Sequence, residues 1–157
     1  MFGKVTTSGL LVVVLVGLVG ASPTGAPISA CEDLLPRHGS GASAVNEPFN
    51  LFVQSAGENM LNVTIAPQDP TLLFKGFLVR ATVDNLDQGY FDLSLTPQYK
   101  GYNCDSTHTA STHTENGLKS SVTVFWVVSQ PGQVTFEATV VIEKVRYVVD
   151  LINVYTA

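Results

Sequence analysis

The chain has 157 residues, of which 45% are hydrophobic and 13% are charged. This size and composition predict one folded domain and exclude a disordered chain. With 8 Lys and Arg against 13 Asp and Glu, the net charge is -5. Binding to nucleic acid or to an anionic membrane surface relies on exposed cations, so we expect neither partner.

The first 21 residues have the pattern of a secretory signal peptide. Lys4 precedes an apolar run from Leu10 to Val19, and small residues follow from Gly20 to Ser22. This order of basic, apolar and small residues predicts export with cleavage after Ala21. The apolar run is shorter than the roughly 20 residues that a membrane-spanning helix needs, so we expect no membrane anchor.

Cys31 and Cys104 are the only two cysteines. Disulfides persist in the oxidising extracellular space, so an exported chain with two cysteines is expected to pair them. The bridge would close a loop of about 74 residues and stabilise the fold by about 4.5 kcal/mol through the entropy of the unfolded chain. We expect a short linker over residues 22–30 and a single domain over residues 31–157.

Apolar and polar residues alternate with a period of two along most of the chain after Cys31, as in strands with one buried face. The predicted inward-facing runs are Phe49, Leu51 and Val53; Leu61, Val63 and Ile65; Phe77, Val79, Ala81 and Val83; Phe91, Leu93 and Leu95; Val122, Val124, Trp126 and Val128; Val134, Phe136, Ala138, Val140 and Ile142. A last run spans Tyr147 to Tyr155, and Ser129 to Gly132 predicts a hairpin turn. The sequence predicts an all-β fold, an antiparallel β-sandwich, with a β-barrel as the alternative.

Two stretches, Cys31 to Glu47 and Pro97 to Lys119, show no strand pattern. The second is polar, and long loops of this kind are often functional. It carries histidines and two tyrosines. The tyrosines could be exposed and stack on sugar rings, and the alternative is ordinary packing against the disulfide. The candidate ligand-binding residues are Tyr99, Tyr102, His108 and His113.

Other motifs give one candidate modification site and no catalytic centre. Asn62-Val63-Thr64 is an N-glycosylation acceptor, and the alternation places Asn62 on an outward face. His108 and His113 lie near Asp105 and Glu115, but no H-E-x-x-H helix accompanies them, so we expect no metal. No G-x-S-x-G motif is present, and Gly39 to Ala44 matches a dinucleotide fingerprint without its strand and helix. We expect neither a cofactor nor enzymatic activity, and we expect Trp126 to lie in the core.

Several short motifs, in order, resemble the reeler domain, the N-terminal module of reelin. They are Cys31, Leu35 to Gly39, Phe74 to Leu78, Gly89 to Phe91, Cys104, Thr112 to Thr114, Val124 to Trp126 and Gly132 to Val140. The resemblance implies an immunoglobulin-like sandwich in which the two matching cysteines are bridged.

The resemblance also implies a function, since short members of this family are secreted insect defence proteins. It predicts an innate-immune protein of the haemolymph that binds microbial cell-surface polysaccharide or lipid components. Such binding would promote antimicrobial responses or haemocyte aggregation, through contact with the haemocyte surface. The alternative is an interaction module of extracellular matrix or egg coat that binds a host protein.

Overall fold

A computed structural model describes residues 24–39, 41–84, 88–104 and 109–156. The predicted signal peptide and His108 lie outside the described residues. A short 3-10 helix, Ile28–Cys31, precedes the strands. The strands are β1 Ser43–Ala44, β2 Phe49–Ser55, β3 Met60–Pro67, β4 Gly76–Val83, β5 Gly89–Phe91, β6 Tyr99–Tyr102, β7 Ala110–His113, β8 Val122–Val128, β9 Gln133–Glu143 and β10 Arg146–Thr156.

Within these ranges the strands form two sheets that pack face to face. One sheet has the order β1-β10-β9-β4-β7-β6, and the other has the order β2-β3-β8-β5. Neighbouring strands are antiparallel except for the short pair of β1 with β10, which is parallel. The all-β, immunoglobulin-like sandwich with mainly antiparallel pairing is therefore confirmed.

The core lies between the two sheets and contains the side chains that alternate inward. Leu61, Val63 and Ile65 of β3 are all buried. Trp126 is fully buried and packs edge to face against Phe91 and Phe136, with ring centroids 5.1 and 5.6 Å away. The prediction that Trp126 belongs to the core is confirmed, and such aromatic pairs add stability beyond the area they bury.

The predicted hairpin between β8 and β9 is wrong. β8 pairs with β3 and β5 in the four-stranded sheet, whereas β9 pairs with β4 and β10 in the other sheet. The turn at Ser129 to Gly132 therefore carries the chain from one sheet to the other. Because both strands turn an apolar face to the same core, Trp126 and Phe136 meet across it instead of side by side in one sheet.

The stretch from Pro97 to Lys119 is not a continuous loop, because it contains β6 and β7. All four residues of β7 are buried, and three of them are polar. This strand is covered on both faces, so its sequence shows no alternation. Conversely, the strand predicted over Phe91, Leu93 and Leu95 ends at Phe91, and Leu95 is 49% exposed.

The predicted disulfide joins Cys31 to Cys104, with 5.5 Å between their Cα atoms. It connects the segment before β1 to the end of β6, which is the edge strand of the six-stranded sheet. The N-terminal segment is thereby held on the outer face of that sheet. Among the described residues, no helix is long and apolar enough to cross a membrane.

Candidate functional site

Residues 24–39, which we call the N-terminal strap, lie across the outer face of the six-stranded sheet. Ala30 and Leu34 of the strap are buried against Leu78 of β4 and Ala110 of β7. These four side chains form a second, smaller apolar cluster outside the main core. The stretch that the sequence suggested as a linker, residues 22–30, thus includes residues that pack on the sheet.

Hydrogen bonds at Ala26 hold the beginning of the strap. Its N–H donates to the Thr112 hydroxyl at 3.2 Å, and its carbonyl oxygen accepts from the Tyr102 hydroxyl at 2.5 Å. The Thr112 hydroxyl in turn donates to the carbonyl of Phe77. The strap is therefore tied to β4, β6 and β7 together, and each neutral hydrogen bond contributes about 1 kcal/mol.

A second anchor lies at the end of the 3-10 helix. Cys31 carries the disulfide, and its carbonyl accepts a hydrogen bond from the guanidinium of Arg80. Arg80 also forms an ion pair with Glu137 at 2.5 Å, and both side chains are mostly buried. The disulfide and the charged hydrogen bond from Arg80 hold the middle of the strap against the sheet.

A pocket of about 490 Å³ opens between the strap and the sheet. Its volume falls in the range of about 300–1,000 Å³ that is typical of small-molecule sites. Strap residues form one side, and residues of β4, β7 and β9 form the other. Its apolar lining consists of Ala26, Pro27, Ala30, Leu34, Leu35, Pro36, Phe77, Leu78 and Val141.

The charged residues that line the pocket are all basic, and none of its described lining residues is acidic. Lys75 and Lys144 line the pocket and are exposed, and neither makes an ion pair within the described part of the chain. Arg37 pairs with Asp33 at 3.0 Å. His38 Nδ1 lies 2.7 Å from the carbonyl oxygen of Lys144, so this nitrogen carries the proton and donates. An otherwise acidic chain thus has a cationic rim around an apolar pocket.

His113 forms part of the pocket wall and is only 8% exposed. Its Nδ1 lies 3.2 Å from both the amide nitrogen and the carbonyl oxygen of Phe77. Burial lowers the pKa of His113, and the nearby Lys119 and Lys100 lower it further. The imidazole is therefore neutral at pH 7, and it is one of the neutral polar groups of the lining, together with Ser29, Asn116 and Thr139.

Of the three candidate ligand-binding residues that the structure describes, Tyr99, Tyr102 and His113, only His113 lines the pocket. Tyr102 is half-buried and holds the strap through Ala26. Tyr99 is half-buried and packs edge to face on Phe77, with ring centroids 5.0 Å apart. Both tyrosines thus show the ordinary packing that was one of the two alternatives. A ligand-binding role for any of them, including His108, stays a prediction.

The predicted glycosylation site lies far along the other sheet, on β3. Asn62 is half-buried between Gln54 of β2 and Phe125 of β8. The Thr64 hydroxyl, two residues on and on the same face, lies 2.9 Å from the Thr123 hydroxyl. Modification of Asn62 stays a prediction.

The pocket was not foreseen, because its strap side comes from residues that show no secondary-structure pattern. The sequence did hold one signal there, since three apolar residues from Leu34 to Pro36 are followed directly by Arg37 and His38. A short segment of this kind can supply both apolar and basic side chains to the lining of one pocket. As for metals, the described residues include no group of three or more His, Cys, Asp or Glu side chains that could hold one.

Known proteins are similar to this chain in sequence and in fold. A "Putative defense protein" of Bombyx mori is 31% identical over 130 residues, covering 77% of this chain and 76% of that protein. "Putative defense protein 1" of Antheraea mylitta is 29% identical over 139 residues, covering 83% of each. A "Putative ferric-chelate reductase 1 homolog" of Drosophila melanogaster is 31% identical over 75% of this chain, but the match spans only 20% of that protein.

Among solved structures, the human F-spondin reeler domain superposes with a TM-score of 0.54, covering 76% of this chain and 97% of that one at 17% identity. That likeness concerns the fold alone. The sequence model of the Reeler domain matches residues 29–153, which include most of the strap and every strand through most of β10. The chain therefore belongs to the Reeler domain family.

Proposed function

We propose that this chain is a secreted, non-catalytic defence protein that binds a component of microbial surfaces in the pocket under the N-terminal strap. The observation that carries the proposal is the pocket itself, which is apolar inside and basic at its rim. The names of the Bombyx mori and Antheraea mylitta relatives support a role in defence. The signal-like N-terminus and the disulfide support secretion into the haemolymph.

The pocket favours the lipid moiety of a microbial component over a polysaccharide. Sugar-binding surfaces present exposed aromatic faces, whereas Tyr99 and Tyr102 are half-buried and engaged with the sheet and the strap. An apolar cavity gains affinity by removing hydrocarbon from water, at about 25 cal/mol per Å². Once bound to a microbe, the protein would promote haemocyte aggregation by presenting its other surfaces to the haemocyte.

The test compares two variants that place the same large side chain on opposite sheets. Val141 of β9 lines the pocket and is half-buried, so Val141→Trp fills the cavity. Val127 of β8 is also half-buried in a strand, but it does not line the pocket. We expect Val141→Trp to lose binding to bacteria, fungi and their extracted lipids in pull-down assays, and Val127→Trp to keep it.

Circular dichroism and thermal melts of both variants establish that each has folded. Undiminished binding by a folded Val141→Trp would show that the pocket is not the site. If the wild-type protein binds no microbe and no microbial extract, the proposed function itself is wrong. Binding of the wild type to host matrix protein alone would place the chain in the other class, that of matrix modules.

A further inference from the structure

We infer that the ligand of this pocket is a single-chain amphiphile with an anionic head group, either a carboxylate or a phosphate. This inference rests on the proposed function and names the chemistry that the site selects. Two properties of the pocket carry it: its mainly apolar lining, and two exposed lysines, Lys75 and Lys144, that have no ion-pair partner among the described residues. The apolar lining selects the hydrocarbon chain of the ligand, and the lysines select its anionic head group.

The apolar wall selects a hydrocarbon chain. Leu34 and Ala30 of the strap pack against Leu78 of the sheet, and Val141 also belongs to the apolar part of the lining. Arg80 and Glu137, on the same two strands as Leu78 and Val141, are paired with each other and do not line the pocket. A volume of about 490 Å³ lies in the lower half of the usual range for ligand sites, which favours one chain over the two of a bilayer phospholipid.

The rim selects the head group. Lys75 comes just before β4 and Lys144 comes just after β9, so the register of these neighbouring antiparallel strands brings both residues to the same end of the sheet, where both line the pocket. Neither has an acidic partner among the described residues, in contrast to Lys119, which lies 2.9 Å from the Glu115 carboxylate. An anionic head group would supply the missing partner through charge-assisted hydrogen bonds.

The net charge of the chain does not oppose this choice. At physiological ionic strength the Debye length is about 8 Å, so acidic groups elsewhere on the surface are largely screened at the rim. Of the two acidic residues of the strap, Asp33 is engaged by Arg37 at 3.0 Å, and neither Asp33 nor Glu32 lines the pocket. The local cations therefore decide which sign of head group binds.

The test measures affinity by calorimetry for amphiphiles that share a dodecyl chain and differ in the head group. We expect dodecyl phosphate and dodecanoate to bind more tightly than neutral dodecyl maltoside, and dodecyltrimethylammonium to bind least. Inorganic phosphate alone should bind far more weakly than dodecyl phosphate. Along decanoate, dodecanoate and tetradecanoate, affinity should rise about fourfold for each added methylene until the pocket is full.

Two variants test which residues recognise the head group. Lys75→Gln combined with Lys144→Gln should weaken dodecyl phosphate binding about tenfold and leave dodecyl maltoside binding unchanged. Arg146→Gln is the control, because it removes one positive charge from the same sheet at a residue that does not line the pocket. Added salt should reduce the difference between the double variant and the wild type.

Any one of three results would overturn the inference. The first is equal affinity for anionic, neutral and cationic head groups, and the second is inorganic phosphate binding as tightly as dodecyl phosphate. The third is unchanged amphiphile binding by Val141→Trp.

A competition experiment separates this inference from the proposed function. If microbial binding needs the pocket but excess dodecyl phosphate does not displace the microbe, the ligand chemistry is wrong and the function stands. If dodecyl phosphate binds as expected but no microbial component does, the function is wrong and the ligand chemistry stands.

Discussion

Gly25 begins the strap at a position where only glycine fits, and we predict that Gly25→Ala detaches the strap locally. Its φ is +105°, and a Cβ there would lie 2.3 Å from the carbonyl oxygen of His113 and 2.6 Å from Lys100 Cε. The backbone conformation alone costs an alanine about 1–3 kcal/mol. The clash with a main-chain oxygen adds to this, because no side-chain rotation relieves it.

The strain at Gly25 opposes two hydrogen bonds at Ala26, which together contribute about 2 kcal/mol. Because the backbone strain is of the same size and the clash adds to it, we expect these two hydrogen bonds to open, while the disulfide keeps Cys31 in place. We expect faster hydrogen exchange at the Ala26 amide, and dodecyl phosphate binding weakened at least tenfold. Global unfolding by guanidinium should change less than local exchange does.

Gly57→Ala is the matched control for this experiment. Gly57 has a φ of +126°, but nothing lies within 4 Å of the Cβ that would be added there. It carries a similar backbone penalty without the clash, in the turn between β2 and β3. If Gly25→Ala exchanges no faster at Ala26 and binds no more weakly than Gly57→Ala, the docking of the strap described above is incorrect.

Three further predictions concern stability. Replacing Cys31 and Cys104 together by Ser should lower the free energy of unfolding by about 2–5 kcal/mol in guanidinium titrations and also weaken pocket binding; a change below 1 kcal/mol would contradict the role of the bridge. Burial lowers the pKa of His113 in the folded state, so the unfolded state takes up the proton first as the pH falls. The free energy of unfolding should therefore decrease as the pH falls below about 6.5. In the variant His113→Gln this decrease should be smaller, and an unchanged dependence on pH would show that His113 does not cause it. Thr139→Val should raise the unfolding free energy by about 1 kcal/mol, because the buried Thr139 hydroxyl has no hydrogen-bond partner among the described residues; a loss of stability would show that it has one.

The faces of the strands were predictable from the sequence, but their partners were not. Alternation places Val63 and Trp126 inside because the period of a strand is two, whatever strand lies beside it. The same alternation is compatible with β8 and β9 being neighbours in one sheet or facing each other across the core. The turn at Pro131 and Gly132 favours a reversal of the chain, and a reversal occurs in both arrangements.

The site was hidden for a different physical reason. Its sheet side depends on β7, whose Ser111, Thr112 and His113 are polar yet buried, because the strap covers one face and the core covers the other. Burial of polar residues by a segment distant in sequence leaves no local signal. His113 was named as a candidate for its residue type, and the structure adds what the sequence could not, namely its position in the wall of the pocket.

Intermolecular NOEs between bound dodecyl phosphate and the methyl groups of the protein test the occupancy of the pocket most directly. The account predicts NOEs from the alkyl chain to Leu34, Leu35 and Val141, which line the pocket. Ile152 and Val154 provide the internal comparison, since they are more than half exposed on β10 and do not line it. NOEs to Ile152 and Val154 without any to Leu34 and Val141 would contradict it.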